Sequence, residues 1–99
     1  MAKKAKSKAR RAVPVFEQIG FSPEESAELV RRSHLLDEVL EIVKQAGYTQ
    51  KDLVRLTGLG QPHVSELLNG RLSRFSTEKL IGILESLGAS VQIKVKRPA

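Results

Sequence analysis

A mainly α fold is predicted for this chain: a small helical bundle in which two short helices meet across a glycine turn, with one β-strand at the C-terminal end. Three observations predict it. Apolar residues recur at spacings of three and four through Leu29, Leu36, Val39, Leu40 and Val43, and again through Leu80, Ile81, Ile83, Leu84 and Leu87. That period places each set on one face of a helix. Gly47, Gly58, Gly70 and Gly88 punctuate the helical stretches. Between residues 90 and 96, Val91, Ile93 and Val95 alternate with Ser90, Gln92, Lys94 and Lys96, the two-residue period of a strand with one buried face.

Size and composition bound the rest. A chain of 99 residues, 40% of them hydrophobic, can enclose one compact core. Aromatics are 4% of residues and tryptophan is absent, so Leu, Val, Ile and Ala must fill that core. Cysteine is absent too, which removes disulfides, thiolate zinc sites and a cysteine nucleophile together. No apolar run approaches the roughly 18 residues needed to span a bilayer, and the N-terminal charge lacks the apolar stretch of a secretory leader. A soluble, cytoplasmic protein without membrane partner, metal or cofactor is expected. The two histidines, His34 and His63, stand far apart, and neither paired carboxylates in a cleft nor a phosphate-gripping glycine loop is present. No enzyme is therefore expected.

The elements follow in order. Residues 1–12 read as a disordered basic tail: Lys3, Lys4, Lys6, Lys8, Arg10 and Arg11 carry the chain's entire excess of +6, and nothing large and apolar offsets the ordering entropy. The tail would act as a solubility feature or as a cationic arm strengthening association with DNA at low salt. The domain is expected over residues 13–99, with Val13, Pro14, Val15 and Phe16 fastening the tail and Phe16 and Phe21 in the core. Ser22, Pro23 and Glu25 begin a helix, with serine as cap, proline in the first turn and glutamate completing a capping box. Glu24, Glu25 and Glu28 would stabilise its dipole by about 0.3–1 kcal/mol each. The helix runs toward Gly47, with an expected break near Ser33 and His34. Thr49 caps a second helix over residues 50–57, a third covers about 61–69, and Ser76 caps a fourth reaching about Leu87. His34 is read as a packing or surface residue. The lone strand over 90–96 needs a partner for its backbone groups, either the same strand of a second copy or residues 13–16.

Charge is polarised within the domain. Residues 12–41 carry a net −5 and residues 42–99 a net +5, which suggests an anion-binding half opposite an acidic half. The basic half contains the stretch of twenty residues from Gln50 to Asn69. Two short helices joined there by a turn of three to four residues need a left-handed residue at the joint, and Gly58 supplies it. Leu53, Leu59, Val64 and Leu67 can lock the pair together. The second helix then keeps its other face free, with open amides at its N-terminus that favour phosphate. Duplex DNA fits such a surface.

With Gln50 at the first motif position, Gly58 at the ninth, and Val64 and Leu67 at the buried positions of the second helix, the segment resembles the Xre, or lambda Cro-like, helix-turn-helix family, and so implies a lambda repressor-like fold. By that resemblance Gln50 would contact the DNA backbone and brace Gln61. Gln61, His63, Ser65 and Glu66 would face the major groove, and Asn69, Arg71 and Arg74 would hold phosphates. Two residues depart from the pattern. Val54 replaces the usual alanine at the helix crossing and would push the helices slightly apart. Gly60 replaces a common serine cap, giving up a hydroxyl that could touch phosphate. A wider resemblance over residues 16–95, through Gly20, Phe21, Ser22, Pro23 and Glu24, the motif itself, and Phe75 and Ser76, is to HigA-like antitoxins. It implies a dimeric operator-binding protein that represses its own operon and restrains a basic RelE-like ribonuclease toxin. The alternatives are a free-standing repressor, or a protein-interaction module that kept the shape and lost DNA affinity.

Overall fold

A computed structural model describes residues 20–98. The tail, and Val13 to Phe16 with its expected anchoring role, lie outside the described residues. Four helices follow in order, α1 (Pro23–Ala46), α2 (Gln50–Thr57), α3 (Gln61–Leu68) and α4 (Thr77–Ser86), with a 3-10 turn (Leu72–Arg74) between α3 and α4.

Local chemistry sets the helix starts. The Ser22 hydroxyl accepts from the Glu25 amide at 3.1 Å, and the Glu25 carboxylate accepts from the Ser22 amide at 3.0 Å. The same reciprocal box recurs at α2, where Thr49 Oγ1 accepts from the Asp52 amide at 3.2 Å and the Asp52 carboxylate accepts from the Thr49 amide at 2.8 Å. Ser76 caps α4 by accepting from the Lys79 amide at 3.1 Å. Each box satisfies amides that the helix geometry leaves unbonded.

These boxes give the stability an acid limb. The backbone and side chain of Ser22 lower the Glu25 pKa, and those of Thr49 lower that of Asp52. Because the folded values lie below the unfolded ones, the stabilisation is complete above the ordinary carboxylate range near about 4. It is lost as pH falls through the lowered folded values. Glu25→Gln and Asp52→Asn are therefore expected to be less stable than wild type at pH 7 and to converge on it near pH 2. Urea melts across that range check it, and a deficit that persists undiminished at pH 2 contradicts it.

The long first helix differs from expectation at one point. α1 is unbroken across Ser33 and His34 for all 24 residues. After Pro23 at its first position it contains no glycine or proline, and neither Ser33 nor His34 removes a ladder amide. Beyond the expected break its apolar stripe reaches the core, with Leu36 and Val39 buried and Leu40 and Val43 packed against it.

α1 packs chiefly on α4, while α2 and α3 pack on each other. The core joins Leu36 and Val39 of α1 to Leu67 of α3, Phe75, and Leu80, Ile83 and Leu84 of α4. Leu53 and Val64 are fully buried where α2 meets α3. Phe21, expected in the core, is 37% exposed. It precedes the cap of α1, where an apolar side chain usually packs on the fourth helical residue. That residue is Ser26, which offers no apolar surface.

The C-terminal strand expected over residues 90–96 is not found. No strand occurs among the described residues, and the segment from 89 to 98 has no regular structure. Val91 packs against the core, but Ile93 and Val95 are 80% and 78% exposed. Alternation of apolar and polar side chains specifies which residues share a face, and a ladder also requires a partner strand. No helix among the described residues is long and apolar enough to cross a membrane.

Candidate nucleic-acid interface

The joint between α2 and α3 is built from Thr57, Gly58, Leu59 and Gly60. Gly58 sits at φ 76°, ψ 3°, and its amide donates to the Val54 carbonyl at 3.0 Å. Thr57 ties both sides of the turn: its hydroxyl donates to the Leu53 carbonyl at 2.6 Å and accepts from the Leu59 amide at 3.2 Å. Leu59 is half-buried against the core. A β-carbon at Gly58 would meet no atom within 4 Å, so only backbone strain opposes substitution there. Gly58→Ala is expected to cost about 1–2 kcal/mol, and Gly58→Asn less, because asparagine tolerates the left-handed region. Urea unfolding checks both; equal stability of the alanine variant and wild type would remove the geometric role.

With the joint fixed, α3 buries Val64 and Leu67 and exposes Gln61 and His63 at its N-terminal end. Gly60 caps at φ −69°, ψ 159° without a side-chain hydrogen bond, and Pro62 contributes no amide. The first bond within the helix runs from the Val64 amide to the Gly60 carbonyl at 3.0 Å. By helix geometry the amides of Gln61 and His63 remain for a solvent or ligand oxygen.

Gln50, Lys51, Val54 and Gln61 line one open hollow of about 220 Å³. Val54 stands on its wall, where the larger residue at the helix crossing was expected to separate α2 from α3. The two glutamines share this hollow, with no hydrogen bond between them. Lys51 belongs to the same rim, a position the helix-turn-helix pattern alone does not single out. Its place beside Gln50 in the first turn of α2 was the available signal.

The remaining site residues divide into two groups. Asn69, Arg71 and Arg74 are exposed beyond α3. Asn69 Nδ2 lies 3.5 Å from Ser65 Oγ, so half-buried Ser65 faces the end of its own helix. The Arg71 amide donates to the Glu66 carbonyl at 3.0 Å, and the Arg74 amide to the Arg71 carbonyl at 3.0 Å, which anchors the 3-10 turn to α3. Glu66, expected to face the major groove, is engaged within the protein. Its carboxylate takes Arg74 Nε at 3.1 Å on one oxygen and His63 Nδ1 at 3.3 Å on the other. No group of His, Cys, Asp and Glu among the described residues is arranged to hold a metal ion.

Residues 15–96 match a family described as a helix-turn-helix domain. The chain is also similar to an uncharacterised HTH-type transcriptional regulator of Haemophilus influenzae, with 33% identity over 78 residues, 79% of each chain. A match over most of its length, on the residues that build the Gly58 joint and the exposed end of α3, means that the chain belongs to this helix-turn-helix domain family.

Proposed function

We propose that this protein is a sequence-specific DNA-binding transcriptional repressor of the Xre type, acting by binding alone and without catalysis. The observation that carries the reading is Gln61, exposed at the open N-terminal end of α3 behind the left-handed Gly58 joint. A glutamine there can meet the edge of an adenine bidentately in the major groove. The regulator named in Haemophilus influenzae supports the regulatory role. Gln50 and Lys51 beside it, and Asn69, Arg71 and Arg74 beyond the other end of α3, serve as backbone contacts, and the operator is double-stranded DNA.

A homodimer is part of this reading. Ile93 and Val95 are exposed in the C-terminal segment, and association of residues 91–96 with a second copy would bury them. Two recognition helices would then address half-sites about one turn, ~34 Å, apart. The likeness to HigA-like antitoxins extends the reading to cytoplasmic autorepression and restraint of a basic RelE-like toxin. The acidic side chains along α1, among them Asp37, Glu38 and Glu41, are exposed for such a partner.

The test is operator selection from random duplexes followed by Gln61→Ala. The variant is expected to lose about 1–3 kcal/mol on the selected operator and little on unrelated duplex, because a base contact discriminates and a phosphate contact does not. Selected sites are expected as paired half-sites. Equal losses on all sequences would remove Gln61 from base reading, and no selectable duplex would remove the function.

A further inference from the structure

Within the proposed DNA-binding reading, on which this inference rests, Glu66 is the one acid of α3, and it stands between two cationic or polar residues. Its two carboxylate oxygens are separately engaged, one by Arg74 Nε at 3.1 Å and one by His63 Nδ1 at 3.3 Å. The glutamate side chain is 26% exposed, against 62% for Arg74 and 54% for His63. The acid therefore lies beneath its partners, which form the outer layer. Its backbone takes part as well, since its carbonyl accepts the Arg71 amide at 3.0 Å. One residue thus connects the recognition helix to the turn that carries both arginines.

We propose that Glu66 is a positioning residue: it aims Arg74 and the free Nε2 edge of His63 at the DNA backbone, and reads no base itself. The atoms used support this role. Arg74 is held through Nε, which leaves both terminal nitrogens of the guanidinium as a fork for a bidentate phosphate contact. His63 is held through Nδ1, which leaves Nε2 as the ring atom it can offer to DNA. A carboxylate with both oxygens engaged is a poor acceptor for a cytosine amino group, and as a bare anion it would repel the backbone. Arg74 lies eight residues further along the chain on a separate short turn, so the carboxylate supplies the tertiary side-chain contact that orients it. The pairs are largely solvent-exposed, where ion pairs add little to stability. Replacing Glu66 therefore tests binding with the fold intact.

The experiment measures the affinity of the full chain for its selected operator, for a panel of single base-pair variants of that operator, and for unrelated duplex, across salt concentrations. The proteins are wild type, Glu66→Ala, Glu66→Gln, Arg74→Ala and the double variant Glu66→Ala/Arg74→Ala. Glu66→Ala is expected to bind all duplexes about fivefold more weakly, the ordering that a surface ion pair can contribute. Its salt slope is expected to flatten by about one phosphate, while the ranking of base-pair variants stays unchanged. Glu66→Gln, whose single amide oxygen can face only one of the two partners, recovers part of the loss, and the double variant binds no worse than Arg74→Ala. A changed ranking at one base pair overturns the proposal in favour of direct reading. Tighter binding to every duplex overturns it in favour of simple repulsion, and additive losses in the double variant overturn the coupling. Wild type that binds no duplex overturns the DNA-binding reading and this inference with it; any of the other three results, with wild type binding, overturns this inference alone.

Discussion

Phe75→Ala is expected to remove about 3–5 kcal/mol of stability, a large share of the roughly 5–15 kcal/mol available to a domain of this size. The ring is 1% exposed and belongs to the cluster formed with Leu36, Val39, Leu67, Leu80, Ile83 and Leu84. Truncation would open a cavity among helices whose aliphatic side chains are already fixed by their own packing, so the walls can collapse only in part. The position also links stability to function. Phe75 follows Arg74 directly and precedes Ser76, the cap of α4. Losing its anchor would loosen the turn that presents Arg71 and Arg74 as well as the start of α4. Urea unfolding measures the cost, with Ile93→Ala as the comparison. Ile93 is 80% exposed, so its truncation should change the stability of the isolated chain by no more than about 0.5 kcal/mol. A Phe75→Ala loss below about 1 kcal/mol would mean that the ring does not hold the helices together.

That contrast also marks how far the sequence could be read. The starts of α1, α2 and α4 were legible because capping is local: Ser22 with Glu25, Thr49 and Ser76 each satisfy amides within three residues. The Gly58 joint was legible for the same reason, since a left-handed residue between two short apolar periods has few other uses. The core residues of α1 and α4 followed from their spacing. What failed depended on a second element. Phe21 is apolar and close to a helix start, but its burial required an apolar residue at 26. The strand over 90–96 carried a clear alternation, but only a partner could complete it. The break at Ser33 and His34 was inferred from two polar residues, although neither side chain prevents the backbone from continuing.

Within the site, position was easier to read than side-chain partnership. Gln61 and His63 are exposed where the motif places them, because helix periodicity and the buried Val64 and Leu67 leave no other face for them. Glu66 looked equivalent to them by periodicity alone. Its engagement depends on Arg74, which only the fold returns to α3 through the 3-10 turn. Thr57 was missed because its two hydrogen bonds are formed by the turn it stabilises. Lys51 was missed because the hollow it shares with Gln61 exists only once α2 and α3 are packed.

The second large effect is expected from replacing Arg71 and Arg74 together with alanine. Both are exposed on the segment tied to α3 by the bond from the Arg71 amide to the Glu66 carbonyl. That bond and the burial of Phe75 belong to the backbone and core, so removing the guanidinium groups leaves the turn intact. Each arginine that neutralises a phosphate contributes about 0.9 to the slope of log affinity against log salt, through release of condensed counterions. The double variant is therefore expected to flatten the slope by about 1.8 on operator and unrelated duplex alike. A change of that size narrows its deficit about tenfold between roughly 50 and 200 mM salt. Removing Arg74 also leaves the Glu66 carboxylate facing the DNA without its partner, which deepens the loss at low salt. Arg31→Ala, an exposed change on acidic α1, supplies the control, because deleting a positive charge there alters net charge by the same amount per residue without touching the proposed contact surface. If the α1 variant flattened the slope as much per residue as the double variant does, overall charge would account for binding, and the turn beyond α3 would have no specific place at the phosphates.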